Sequence, residues 1–225
     1  MSSGLKAGAV IAAAGLGERF GEKKQFKLLG RRPLLFHTLI PFLECDTICE
    51  IVVVVPEDDL QNTSRELASF TSAKPVKVVA GGKRRQDSVL NGCRTLSNAM
   101  TIIAVHDAAR PFVTPELIIA TINGCSEADG CIAALPSKDT VKRVSAGQIK
   151  DTLDRNKIWL AQTPQTFHRD ILVNALQQEM EATDEASMVE ALGGSVAVTE
   201  GFSGNFKITT RDDWQIAMEL DSENE

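Results

Sequence analysis

The chain has 225 residues, 43% of them apolar, and no proline-, glycine- or serine-rich linker, so it should build one substantial core as a single domain over 1–225. A formal charge of −6 argues against a nucleic acid polymer as partner and leaves room only for a local basic pocket that takes a small anion. No basic N-terminal region precedes a long apolar segment, and no apolar run nears the roughly 20 residues that span a bilayer, so a soluble, unprocessed chain away from membranes is expected.

Ala7 to Ile11 is an uncharged apolar run that suits a strand buried on both faces of a parallel sheet. It leads into Ala12-Ala13-Ala14-Gly15-Leu16-Gly17, where small side chains let backbone N–H groups approach an anion and the glycines permit φ > 0. Arg19, Lys23 and Lys24 follow; donors without bulk and then fixed positive charge are what a triphosphate needs. The glycines at 15, 17 and 21 break the G-x-G-x-x-G spacing of a dinucleotide site, and no G-K-[ST] follows to make a P-loop. The plain alternative is a glycine-rich strand-to-helix turn with solvated basic residues.

Leu35, Leu39 and Leu43 then fall at helical spacing within a helix expected from Pro33 to Leu43. Ile51 to Val55 reads as a β-branched strand closed by Pro56, Glu57 to Phe70 as a helix with acids in its first turn, and Val76 to Val79 as a strand. Such alternation predicts an α/β fold: a mostly parallel twisted sheet flanked by helices.

The third strand runs into Gly81-Gly82, followed by Arg85 and Ser88 on a helix, at a carboxyl end of the kind where ligands of open α/β sheets gather. The two glycines offer backbone groups to a base edge, with Arg85 and Ser88 as polar partners; a plain turn is the alternative. Thr101 to Val105 is a strand that delivers His106-Asp107-Ala108-Ala109-Arg110-Pro111. Asp107 suits Mg²⁺, directly or through water, or a ribose or substrate hydroxyl. Arg110 suits an anion, and His106 reads as a packed histidine satisfied by a nearby backbone group.

Thr114 to Cys125 is a helix with Thr114 as cap and Pro115 first, and Cys131 to Leu135 is a strand. From Lys138 to Asp154 polar and apolar residues alternate around a glycine-bearing turn, which predicts a hairpin arm. A lone hairpin is marginal in water, so a second subunit is the expected support. Arg155 is a candidate anion clamp. Asp170 to Met180 and a segment from Thr183 to Gly193-Gly194 read as helices, the Thr183 end as an N-cap. Ser195 to Thr199 and Asn205 to Thr209 read as strands, the latter with Lys207 either snorkelling to water or aimed into an anion site. Trp214 to Leu220 is the last helix, and 221–225 a frayed acidic tail. The five cysteines form no Cys-x-x-Cys pair and are odd in number, which fits a reducing cytoplasm, and the three histidines are too scattered for a zinc cage.

Nine of these motifs, in order, resemble the 2-C-methyl-D-erythritol 4-phosphate cytidylyltransferase family of the nucleotide-diphospho-sugar transferase-like fold. They are Ala-Ala-Gly-x-Gly-x-Arg at 13–19, Lys24-Gln25, Gly-Gly-x-x-Arg-x-x-Ser-Val at 81–89, the 106–111 segment and Asp139-Thr140. Asp154-Arg155-Asn156, Gln162-Thr163-Pro164-Gln165, the segment from Thr183 to Ser187 and that from Asn205 to Thr209 complete the set. The resemblance implies CTP along Ala13, Ala14, Gly15, Leu16 and Gly17, with Gly81, Gly82, Ser88 and Ala108 also at the nucleotide. It implies a polyol phosphate near Asp107, Arg110, Thr140, Thr163 and Thr183, and a homodimer joined through the 138–154 arm. Arg19 and Lys24 would stabilise the transition state, Arg155 and Lys207 would position the attacking phosphate, and Mg²⁺ is the implied metal.

The family usually has proline where Lys23 stands, which implies a looser loop here and a lysine able to compete for the phosphates. An acid is frequent where Lys83 stands, so no role is carried over to that position. The implied chemistry is attack by a phosphate monoester on the α-phosphorus of CTP. The monoester is a dianion at neutral pH, its second pKa being about 6, so no general base is required. That agrees with the absence of any nominated nucleophile or base in the sequence. A ribitol 5-phosphate cytidylyltransferase shares most of the motifs, a sugar-1-phosphate nucleotidyltransferase fewer, and a non-catalytic nucleotide-binding module is the reading outside enzymes.

Overall fold

A computed structural model describes residues 6–68, 74–180 and 182–222. In chain order these form β1 (Ala7–Ala12), β2 (Leu28–Leu29), β3 (Arg32–Pro33), α1 (Leu34–Glu44), β4 (Ile48–Val55), α2 (Leu60–Ala68), β5 (Val76–Ala80), α3 (Arg85–Thr95) and β6 (Ile102–Asp107). There follow α4 (Pro115–Gly124), β7 (Gly130–Pro136), β8 (Lys142–Ser145), β9 (Gln148–Thr152), β10 (Trp159–His168), α5 (Arg169–Leu176), α6 (Glu185–Ala191), β11 (Val196–Glu200) and α7 (Arg211–Ser222).

Seven strands make one sheet in the order β11-β7-β10-β6-β1-β4-β5, parallel throughout except for β10. The apolar runs at β1, β4 and β6 lie at its centre because both of their faces are covered. Ile11, Val53 and Val55 pack on one side with Leu39 and Phe42 of α1 and Ile118 of α4. Their neighbours Val10, Val52 and Val54 pack on the other with Val89 of α3, Leu172 of α5 and Val189 of α6. This period-two division is the pleat of the strand, and it explains why no charge stands within 7–11, 51–55 or 102–105. A smaller third cluster joins Phe20 and Leu29 to Ile208 and to Trp214 of α7, and so ties the first loop to the C-terminal segment. No helix among the described residues is long and apolar enough to cross a membrane.

Several expected boundaries move. The segment beginning at Glu57 opens as a 3₁₀ turn before α2, which ends at Ala68; residues 69 and 70 lie outside the described residues. The helix expected over Asp170 to Met180 stops at Leu176, and the last helix starts early at Arg211 and takes in Asp221 and Ser222. Residues 223–225 of the expected tail lie outside the described residues. The helix over 114–125 matches expectation: the Thr114 hydroxyl accepts from Leu117 N–H with Pro115 at the first position.

Two differences bear on the site. Asn205 to Thr209 is not a strand. Only Ile208 bonds across, donating to the Ala109 carbonyl at 2.8 Å, while the Asp213 carboxylate takes the N–H groups of Thr209 and Thr210 at 2.7 Å each. Capping of α7 thus uses the groups that a ladder would have needed. Conversely, 159–168 is a strand, β10, that the sequence did not suggest, since Gln162, Thr163, Gln165 and Thr166 are polar and give no strand pattern. Those side chains are buried yet satisfied, as by the Thr166–Thr121 hydroxyl pair at 2.9 Å.

Candidate active site

The first loop leaves β1 at Ala13, whose N–H still donates to Val54 O at 2.8 Å. Beyond it, the amides of Ala14, Gly15, Leu16 and Gly17 donate to no group among the described residues. Gln25 explains their orientation: nearly fully buried, it donates its amide to both Ala13 O and Gly15 O at 2.9 Å, holding the carbonyls inward. Gly17 sits at φ 73°, and a Cβ there would stand 1.9 Å from Glu22 O, so the turn that brings Lys24 round requires glycine. The 17–24 turn is thereby drawn tight.

Lys23 does not join this cradle. Its ammonium lies 2.6 Å from Asp59, ahead of α2, so the expected competition for phosphates is replaced by an anchor between loop and helix. Because this pair is only part-buried and reaches solvent, Lys23→Ala should cost at most about 1 kcal/mol of stability and leave the CTP KM within about fivefold, as steady-state kinetics will read.

The second loop meets the first. A Cβ on Gly81 would stand 2.5 Å from Ala14 Cβ, so the two loops touch only because Gly81 is bare. Gly82 N–H donates to Ser88 Oγ at 3.0 Å. Between the loops lies a cleft of about 400 Å³, bounded by Ala12 to Arg19, Lys24, Gly82, Arg84, Arg85, Ser88, Asp107, Ala108 and Lys207. The sequence therefore identified most of its wall: Ala13, Ala14, Gly15, Leu16, Gly17, Arg19, Lys24, Gly82, Ser88, Asp107, Ala108 and Lys207 all meet there.

Charge is concentrated on its floor. Asp107, at the end of β6, receives Arg85 on Oδ1 at 3.0 Å and Lys207 on Oδ2 at 2.8 Å. Burial alone would push the Asp107 carboxyl up, but Arg85 and Lys207, with Arg110 beyond them, hold it well below the usual carboxylate range. Burial, then Lys207 and Arg19, pull the Lys24 ammonium below the usual lysine value. A cation so placed is one that an incoming anion would relieve. Among the described residues no group of three metal-ligating side chains exists.

His106 is buried beside this carboxylate. Its Nε2 faces Arg110 O at 3.1 Å, which can only accept, so Nδ1 is left to accept from the Thr163 hydroxyl at 3.0 Å. Thr163 Oγ1 in turn accepts from Asp107 N–H at 3.1 Å. This arrangement requires neutral imidazole, and burial pushes His106 down to about 4. In the unfolded chain the value is about 6.5. The stability that His106 contributes is therefore whole above about pH 6.5 and is lost as pH falls toward 4, where the unfolded chain takes up the proton. Urea unfolding at pH 7 and 4.5 should show a smaller fall for His106→Gln than for the wild type.

Other expected site residues stand elsewhere. Arg110 is buried behind Asp107, with Nη1 donating to Asn205 O at 2.8 Å and Nε without a partner. Thr163 is likewise buried, serving Asp107 and His106 as above. Thr140 and Arg155 are exposed at the base of the arm, where Arg155 donates to Lys138 O at 2.8 Å. Thr183 is exposed ahead of α6, whose cap is Asp184. None of these five bounds the cleft of its own chain. Two contributors were missed: Gln25, which the motif pattern carried without a role, and Glu185, which reads as an ordinary acid in a first helical turn yet is buried against Arg85.

With this geometry in place, relatives are informative. The sequence profile of the 2-C-methyl-D-erythritol 4-phosphate cytidylyltransferase family matches residues 7–220. A protein of that name from Syntrophus aciditrophicus is 42% identical over 217 residues, covering 93% of each chain. Another, from Halalkalibacterium halodurans, is 38% identical over 222 residues, covering 96% of this chain and 97% of its own. Among solved structures, 4-diphosphocytidyl-2C-methyl-D-erythritol synthase from Anaerococcus prevotii aligns with a TM-score of 0.87 at 28% identity, over 98% of this chain and 100% of that one. The cytidylyltransferase from Thermus thermophilus aligns at 0.77 with 30% identity, over 95% and 97%. The extent and identity of these matches show that the chain belongs to the 2-C-methyl-D-erythritol 4-phosphate cytidylyltransferase family.

Proposed function

We propose that the chain transfers the cytidylyl group of CTP to the phosphate of 2-C-methyl-D-erythritol 4-phosphate, giving 4-CDP-2-C-methyl-D-erythritol and pyrophosphate for isoprenoid precursor synthesis. One observation carries this reading: four unpaired loop amides face a cleft that Arg19, Lys24 and Lys207 make cationic. The substrate phosphate attacks as a dianion, so repulsion between anions, not proton removal, is the obstacle. His106 supplies no base, being buried and held neutral by its two hydrogen bonds. The protein's work is to orient the triphosphate on the loop amides and to set Lys24 and Lys207 against the charge that gathers on the α-phosphorus and the leaving pyrophosphate.

Mg²⁺ fits this site as a phosphate-borne ion. Both Asp107 oxygens are engaged by cations, so that carboxylate would meet a bound Mg²⁺ through water. When bound, the ion would neutralise phosphate charge. We further propose a homodimer through the 138–154 arm. Its strands β8 and β9 are exposed along their whole length, with Val144 and Ile149 more than half exposed, and Trp159 and Leu160 stand uncovered beside them. Such an assembly would give Thr140 and Arg155, which face no cleft of their own chain, the neighbour's cleft to complete. A reducing cytoplasm is the setting this reading implies, and the five free cysteines, four of them buried, support it.

The test is pyrophosphate release from CTP and Mg²⁺ with 2-C-methyl-D-erythritol 4-phosphate, beside D-ribitol 5-phosphate and with UTP, GTP and ATP as controls. Release confined to CTP with the methylerythritol phosphate is the expected result. Preference for ribitol phosphate would move the reaction to another pathway, and CTP binding without release from any pair would leave a nucleotide-binding module.

A further inference from the structure

We infer that Arg85 and Glu185 are positioning residues for this transfer: Glu185 fixes Arg85, and Arg85 holds Asp107 in place when Lys207 leaves that carboxylate for the substrate phosphate. The inference rests on the transfer proposed above.

Lys207 is committed to Asp107 in this structure, 2.8 Å from Oδ2. To meet a phosphate it must loosen that contact, and Asp107, almost fully buried, cannot turn to water instead. A buried carboxylate stripped of its partner is strongly unfavourable, so Lys207 would stay where it is unless a second fixed cation remained. Arg85 is that cation. It approaches the other oxygen, Oδ1, at 3.0 Å, through a contact separate from that of Lys207.

What keeps Arg85 there is Glu185. The guanidinium spends Nη2 on Asp107 and Nη1 on Glu185 Oε1, so its planar fork bridges two carboxylates that come from different parts of the fold. Glu185 is itself held in place by its surroundings. It lies in the first turn of α6, and Gln165 of β10 clamps that turn, donating to Asp184 at 2.8 Å and accepting from Ala186 N–H at 3.0 Å. The groups around Asp107 are Arg85 from α3, Lys207 from the segment before α7, Arg110 from the turn after β6 and Lys24 from the first loop.

Stability alone does not account for Glu185. Its side chain is 1% exposed, burial pushes its carboxyl up against the opposing pull of Arg85, and Oε2 has no hydrogen-bond partner. An apolar residue at such a position would avoid a desolvated, half-satisfied acid. An acid there has a purpose in aiming Arg85.

Steady-state pyrophosphate release with CTP and the methylerythritol phosphate tests this on the full chain. Arg85→Met should lower kcat by at least about tenfold with the CTP KM within about threefold, because Lys207 then remains on Asp107. Arg85→Lys, which keeps the charge but lacks the planar fork that fixes both carboxylates, should not rescue it, and Glu185→Gln should lower kcat in the same sense. The deciding measurement is a cycle with Asp107→Asn, which frees Lys207. The double variant Arg85→Met, Asp107→Asn should be at least about fivefold more active than the product of the two single effects predicts. A merely structural role would lower the melting temperature in step with activity, and the same cycle read in melting temperature would couple as the activity cycle does. Multiplicative losses, or an Arg85→Met enzyme with near-normal kcat, overturn the inference. If Arg85→Met does not fold, normal turnover of Glu185→Gln and Arg85→Lys does so. Inactivity of the wild-type chain overturns the transfer reading and this inference with it.

Discussion

Lys24→Ala should lower turnover by two to three orders of magnitude, or about 3–4 kcal/mol, with no loss of stability; removal of an oriented transition-state donor has this magnitude elsewhere. The reason lies in how the resting site treats this ammonium. Lys24 is partly buried and its charge is disfavoured by that burial, by Lys207 and by Arg19, with Asp107 and Asp213 only partly offsetting them. In the absence of substrate the residue is therefore a burden, and its deletion should leave urea stability unchanged or slightly raised. Lys207→Ala should lower turnover comparably. Its effect on stability has the opposite sign, because it takes from Asp107 the partner on Oδ2. Steady-state kinetics beside urea unfolding separates the two. Near-normal turnover of either purified variant would remove that lysine from the mechanism.

Gly17→Ala should raise the CTP KM by on the order of 30-fold or more, the equivalent of about 2 kcal/mol from a left-handed non-glycine residue together with displacement of a backbone carbonyl. The clash is with Glu22 O at 1.9 Å, which no side-chain rotation relieves, so the 17–22 turn must open and carry Lys24 away from the loop amides. Gly15→Ala is the internal control. Nothing lies within 4 Å of a Cβ there and its φ is ordinary, so the variant should melt like the wild type; its added methyl would enter the cleft itself. Equal CTP affinity in Gly17→Ala and wild type would show that the turn does not set the cradle.

Much of this protein was legible before any coordinates. The strands β1, β4 and β6 announce themselves by their apolar runs, 7–11, 51–55 and 102–105, since a strand buried on both faces admits charge only where a partner meets it, as at Glu50 and Asp107 near the strand ends. The two glycine loops follow directly on strands, so local spacing alone brought Ala13 to Gly17 and Gly81-Gly82 to the carboxyl edge of the sheet. Arg19, Lys24, Asp107 and Lys207 could be nominated by charge type and position.

What the sequence could not contain is the choice among partners distant along the chain. Local pattern suggested that Lys23 would face the phosphates, but Asp59, 36 residues on, holds it at 2.6 Å. Asn205 to Thr209 alternates like a strand, and Asp213 claims its N–H groups instead. β10 shows no strand periodicity because its polar residues are answered by Thr121, Asp184 and Asp107 from three other elements. Composition and periodicity determined the sheet, the loops and the sign of the site's charge, since those depend on neighbours within a few residues. The tertiary structure alone decided that Arg85 would bridge Asp107 and Glu185, 22 and 100 residues away, because an ion pair's worth depends on burial and geometry that arise only once the helices have closed over the sheet.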